Sequence, residues 1–211
     1  MHVSRQERME SFDQKHYVRP HLAYSKMKLA EESGKTVWLY GATSYGKTSF
    51  INSYFGNRHI TYFSANQLQE ADLITSEELR GTIVIDDLQT LLCPDICQDI
   101  WKAIEKLVMK EDVWLILISR GKIPKWLHGT FIKHRFTVIE EKDLELSDAE
   151  IEKLIQKWEV HLTEEQVTAL SVSASHNAYF ISLTLAHLSK GEEYKTSLLK
   201  VVQQQFWDYL E

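Results

Sequence analysis

The chain has 211 residues, 44% of them hydrophobic and 26% charged, with a formal net charge of −6. That length holds one α/β domain with a small helical appendage, and the acidic balance argues against a module that reads DNA by itself, which needs a basic face. No apolar run approaches the roughly 20 residues of a membrane span, the N-terminus lacks a signal-peptide core, and two cysteines, Cys93 and Cys97, make no disulfide framework, so a reducing cytoplasm is expected.

Residues 1–16 are polar and predict a loosely docked arm. A helix is expected over 21–33, with Pro20 near its first turn and Gly34 as its stop. The apolar run Thr36 to Tyr40 predicts a buried strand, and a helix is expected over 49–55. Residues 57–64 predict a second strand, residues 66–80 a polar helix, and residues 82–86 a third strand ending in carboxylates. Pro94 opens a helix through Lys110 with Ile96, Ile100, Ile104, Leu107 and Val108 at spacings of three and four. Strands follow at 113–118 and 135–139.

From Leu146 the strand signals stop. Ser147 with Glu150, and Thr163 with Gln166, form capping boxes that open helices over 147–159 and 163–174. Further helices are expected over 178–189 and 192–210. The expected fold is α/β: a five-stranded parallel sheet flanked by helices, followed by a small all-helical lid. The expected boundaries are an arm over 1–16, a core over 17–145, and a lid over 146–211.

The chemistry starts between the first strand and its helix. Gly41-Ala42-Thr43-Ser44-Tyr45-Gly46-Lys47-Thr48 fits the G-x-x-x-x-G-K-[ST] phosphate loop without mismatch. Its glycines allow backbone angles that a Cβ resists, so successive N–H groups, through Ser49, can face a phosphate at a helix N-terminus. Lys47 would reach the β- and γ-phosphates, and the Thr48 hydroxyl would sit on Mg²⁺. Asp86, at a strand end, would hold the same Mg²⁺ through water, and Asp87 could orient or deprotonate an attacking water. Ser119 and Arg120 end the next strand, where Arg120 could place a forked cation on developing charge or simply cap a strand at the surface. Arg19 and Pro20 suit either a segment over adenine or an ordinary helix start. Cys93 and Cys97 lie one helical turn apart, with no third ligand beside them. The basic group Lys122, Lys125, Lys133, His134 and Arg135 matches a solvated loop.

From about Val18 to Glu211 the chain resembles the nucleotide-binding part of the large ATP-binding regulators of LuxR type, members of the STAND class of signal-transduction NTPases and relatives of the AAA+ group. The resemblance is carried by Val18-Arg19-Pro20-His21-Leu22, by Tyr45-Gly46-Lys47-Thr48, by Ile85-Asp86-Asp87 and by Ile118-Ser119-Arg120. It implies adenine contacts from Arg19 and Pro20 and a γ-phosphate contact from Arg120. It departs at Ser175 to Phe180, where the family's proline is missing. Gln205 to Glu211 is similar to the opening of a following winged-helix domain, so further regulatory and DNA-binding domains are expected beyond it.

The resulting expectation is an ATP/ADP- and Mg²⁺-binding switch that hydrolyses slowly, with Lys47, Asp87 and Arg120 as its catalytic residues. Its expected partners are nucleotide, downstream domains of the same polypeptide, DNA through such a domain, and itself in an ATP-dependent association. Two alternatives stand beside it. A P-loop kinase would need a basic lid, and 147–190 contains no arginine. A loader-type AAA+ ATPase acting on nucleic acid would be expected to show a basic stripe.

Overall fold

The computed structural model describes residues 15–65, 79–91, 94–125 and 136–210, with the side chains of 94–98, 209 and 210 excepted. Residues 1–14 of the expected arm, residues 66–78 of the expected helix over 66–80, Cys93, the Cys97 side chain, and Lys133 to Arg135 lie outside the described residues.

Helix α1 (His21–Glu32) buries Ala23, Met27 and Ala30, one per turn, and Pro20 is its N-cap residue, directly before the first turn as expected. Gly34, at φ +61°, donates to the Glu31 carbonyl and turns the chain into β1 (Thr36–Tyr40). Next come α2 (Lys47–Phe55), β2 (Thr61–Ser64) and β3 (Gly81–Asp86). A 3-10 turn (Leu88–Leu91) leads to α3 (Pro94–Met109), β4 (Val113–Ser119) and β5 (Phe136–Ile139).

The strands form one parallel sheet in the order β2-β3-β4-β1-β5. Continuous apolar runs suit this sheet because both faces are covered. Alternate residues divide between them. Trp38, Ile83, Ile85, Leu115 and Leu117 pack under α3 with Trp101, Ile104 and Leu107. Val37, Leu39, Val84, Ile116 and Ile118 pack under α1 and α2 with Met27, Phe50 and Ile51. The strand ends that carry chemistry therefore emerge along one edge of the sheet, where ligands bind in open α/β folds.

Beyond β5 lie α4 (Glu141–Leu144), α5 (Asp148–Lys157), α6 (Glu164–Ser173), α7 (Ala178–Leu188) and α8 (Thr196–Leu210). Both expected capping boxes are formed, at Ser147 with Glu150 and at Thr163 with Gln166. Leu144 of α4 packs in the core under α1 and α2, whereas α5, α6 and α7 share a third core of Leu146, Ile151, Leu154, Leu170, Phe180 and Ile181, which Leu198 and Val202 of α8 also enter. Val18 packs on this core, so the segment before α1 is fastened against the lid. Lys157 holds it by donating to the Lys15 and Tyr17 carbonyls, and His16 stacks on Trp158.

Several boundaries differ from expectation for local reasons. β2 starts at Thr61 rather than 57, because Gly56 takes φ +51° and the Arg58 amide turns back to the Phe55 carbonyl. α2 starts earlier than 49, with Gly46 as its N-cap. α8 starts later than 192, because Glu192 pairs with His187 across the turn and leaves the helix to begin at Thr196. The short α4 and the 3-10 turn at Leu88 were not evident from periodicity, being too short to show it.

Candidate nucleotide-binding site

The loop between β1 and α2 is held at its root. The Gly41 amide donates to the Ser119 carbonyl at 3.3 Å, tying β1 to β4. The Ala42 amide donates to Glu141 Oε1 at 2.6 Å. Gly41 is required here for space: a Cβ would lie 2.9 Å from the Glu141 Cγ. The left-handed positions of the loop are Ser44, at φ +69°, and Gly46, at φ +70°. Gly41 is not among them, contrary to the expectation that both glycines serve backbone angle. The Gly46 carbonyl accepts the Phe50 amide at 2.7 Å, so α2 starts with its first-turn amides directed out of the helix end.

Lys47 Nζ donates to the Gly41 and Ala42 carbonyls at 2.6 and 2.8 Å, curling the loop around its own ammonium. Burial lowers the Lys47 pKa; Asp86 opposes that shift, and Arg120 adds to it by repulsion. The ammonium is therefore partly stripped of water and flanked by charges of both signs, an environment in which a phosphate would gain more than in bulk solvent.

Across the cleft Asp86 ends β3, buried, with the Tyr62 hydroxyl donating to its Oδ2 and the Asp87 amide donating to its Oδ1. Asp87 follows at φ +61°, a left-handed backbone that Asp tolerates better than most residues. Its carboxylate accepts from Ser64 Oγ at 3.3 Å and from Gln89 Nε2 at 3.2 Å. Gln89 in turn accepts the Arg120 amide at 3.1 Å.

These residues line one cavity of about 500 Å³. Its floor is Thr43, Ser44, Gly46, Lys47, Thr48 and Ser49; its far wall is Asp86, Asp87, Gln89 and Arg120. Tyr17, Ala178, Tyr179 and Ser182 close it from the lid side. The lid wall is the start of α7, where Asn177 Oδ1 accepts the Tyr179 and Phe180 amides at 3.0 Å each. The segment Ser175 to Phe180, noted in the sequence for its missing proline, thus reaches the cleft through Ala178 and Tyr179.

Other expected residues lie elsewhere. Ser119 is 1% exposed, accepts the Gly121 amide on its hydroxyl and lies outside the cavity lining. Gly41, Ala42 and Tyr45 are also outside the lining, and Glu141 approaches the first two. Arg19 lines a second cavity of about 710 Å³ beside Tyr24, His21 and Glu150. Its guanidinium lies 5.1 Å from the Tyr24 ring centroid, and its Nε donates to Ser53 Oγ at 3.3 Å. Pro20 is buried as the helix cap. Tyr17 lines both cavities, and burial raises its phenol pKa. Tyr17, Gln89, Glu141 and Ser182 carried no motif. Of these, Gln89 had a local signal, two positions beyond Asp87.

The oxygens of Thr48 and Asp86 in one cavity suit a hard cation completed by phosphate oxygens and water rather than an all-protein cage. Among the described residues no group of three or more His, Cys, Asp or Glu side chains offers such a cage. Among them, too, no helix is long and apolar enough to cross a membrane.

No protein-family profile and no curated protein matches the chain. Solved structures do. The replication initiator DnaA bound to AMPPCP and single-stranded DNA is similar over 99% of this chain and 71% of its own, at 17% identity and a TM-score of 0.61. RuvB of Thermotoga maritima matches 90% of this chain and 70% of its own, at 13% identity and a TM-score of 0.56. ORC1 of Aeropyrum pernix, in complex with DNA, matches 90% of this chain and 66% of its own, at 12% identity and a TM-score of 0.56. The chain therefore has the fold of an AAA+-type P-loop ATPase: a five-stranded parallel sheet flanked by helices and followed by a helical region.

Proposed function

We propose that this chain binds Mg-ATP and Mg-ADP in the cleft between its sheet and its lid, and that it works as the ATP-controlled module of an assembly that acts on nucleic acid. The observation that carries the reading is the meeting of Lys47, Thr48, Asp86, Asp87 and Arg120 in one cavity closed by the start of α7. Residues 17–145 are the nucleotide core, and 146–211 are the lid with the opening of a further domain.

Each residue then has a task. The first-turn amides of α2 and the Lys47 ammonium hold the β- and γ-phosphates, with Lys47 leaving the Gly41 and Ala42 carbonyls to do so. Thr48 and Asp86 hold Mg²⁺, which supplies charge neutralisation on the phosphates when bound. Asp87 orients a water and accepts its proton. Arg120 stabilises charge that develops on the γ-phosphate. Tyr179 and Tyr17, one on a lid helix and one on the strap packed against it, make lid position depend on what fills the cavity. Hydrolysis is slow and resets the switch.

Nucleic acid is favoured as the target because the similar DnaA and ORC1 structures are complexes with DNA. The acidic net charge favours a DNA-gripping surface on another subunit or domain. A second reading keeps the same switch inside a LuxR-type transcription regulator, favoured by Tyr45-Gly46-Lys47-Thr48 together with Asp86-Asp87 and Ser119-Arg120. Phosphate release measured with ATP alone, with single-stranded DNA, with duplex DNA and with small-molecule acceptors separates them. Stimulation by DNA, with larger species forming in ATP, supports the first reading. Slow turnover unaffected by any addition supports the second. Transfer to an acceptor refutes both in favour of a kinase.

A further inference from the structure

We infer that Gln89 is a positioning residue that locks the water-orienting carboxylate of Asp87 to the backbone of Arg120; this rests on the nucleotide-binding reading above. Gln89 sits in the 3-10 turn after β3, between Leu88 and Leu91, whose buried side chains fix the turn in the core under α3. The turn is closed at its start, where the Thr90 amide and hydroxyl both donate to the Asp87 carbonyl. The Gln89 side chain therefore leaves a rigid base.

Its two ends are used in one consistent orientation. The Nε2 group donates to Asp87 Oδ1, and Oε1 accepts the Arg120 amide, 31 residues away in sequence at the end of β4. Reversing the amide would set an NH₂ against the Arg120 N–H and an oxygen against the Asp87 carboxylate, so both contacts select the same rotamer. Ser64 Oγ approaches the other oxygen of Asp87, leaving its carboxylate fixed from both sides. Gln89 also lines the cleft, so its spacing between the two strand ends is set at the site where phosphate chemistry would take place. A neutral amide suits this bridge. It orients an anion without neutralising it, and it holds the backbone of an arginine without competing for the guanidinium. Displacement of a reacting group by about 1 Å can cost two orders of magnitude in rate while leaving binding intact.

Single-turnover hydrolysis of Mg-ATP and calorimetric Kd values for Mg-ATP and Mg-ADP test this in wild type, Gln89→Ala and Gln89→Glu. Gln89→Ala is expected to slow hydrolysis about tenfold while both Kd values stay within twofold. Gln89→Glu, which keeps the acceptor for Arg120 but sets a carboxylate against Asp87, is expected to slow it at least as much. In an Asp87→Ala background Gln89→Ala should add less than a twofold loss, because it acts through a group already removed. Multiplying losses in the double variant, or an unchanged rate in Gln89→Ala with nucleotide bound normally, would overturn the assignment of Gln89 alone. Absence of nucleotide binding by the wild-type chain would instead overturn the reading on which it rests.

Discussion

Glu150 accepts three hydrogen bonds, one tying the lid to the core and two closing a helix cap within the lid, and its loss should be costly in a calculable way. One oxygen accepts the His21 amide at 2.7 Å, across 129 residues of sequence. The other accepts the Ser147 amide and hydroxyl at 2.8 Å each, completing the cap of α5. The side chain is buried, so its carboxylate has exchanged water for these donors. Bonds to a charged group contribute about 1.5–3 kcal/mol each, and burial of the carboxylate offsets part of the sum. A helix cap contributes about 1 kcal/mol. Glu150→Ala should therefore destabilise the chain by about 2–4 kcal/mol, since the stripped amides regain some water. For a domain of this size each kcal/mol moves Tm by about 2–4 °C, giving a fall of about 5–15 °C. Glu150→Gln keeps one acceptor but turns an NH₂ toward one set of donors, so about half the fall is expected. Thermal unfolding followed by circular dichroism reads both. A fall under about 2 °C in Glu150→Ala would refute the contribution assigned to this bridge.

Arg120→Ala should reduce the preference for Mg-ATP over Mg-ADP without abolishing binding of either; equal preference in the two proteins would remove its γ-phosphate role. His187 faces acceptors on both ring nitrogens, Glu192 at 2.6 Å and Gln205 at 3.0 Å, and these contacts, Glu192 first, raise its pKa above the ordinary 6.5. A raised folded-state pKa means stability fully present below pH 6.5 and lost as pH rises through the folded value. Tm of the wild type should therefore fall on going from pH 6 to 8 relative to His187→Gln, and parallel curves would contradict this.

The sheet was legible because its strands are short apolar runs between turn residues, and the phosphate loop because its pattern is local. The lid helices were legible for the same reason: Ser147 and Thr163 announce their caps within four residues. What was not legible depends on crossovers. The order β2-β3-β4-β1-β5 brings Gln89 beside Arg120 and Glu141 beside Ala42, and no spacing along the chain encodes either meeting. Ser119 was expected in the cleft from its place at a strand end, but its side chain is buried, accepts the Gly121 amide and is not part of the cavity lining. Arg19 and Pro20 were expected beside the nucleotide. The strap they belong to does reach the cleft, but through Tyr17. The placement of a LuxR-type family rested on four short segments. The solved neighbours, with identities of 12–17%, carry the broader AAA+ fold and no narrower placement.

Titration calorimetry of Mg-ATP and Mg-ADP into the wild-type chain and into Lys47→Ala tests the central claim most directly. Nucleotide at 100 times Kd should also stabilise the wild type by about 2.7 kcal/mol. One site per chain is expected in the wild type, with Kd raised at least tenfold in Lys47→Ala. No heat from the folded wild type, or equal affinity in the variant, would contradict a phosphate cradle built around Lys47.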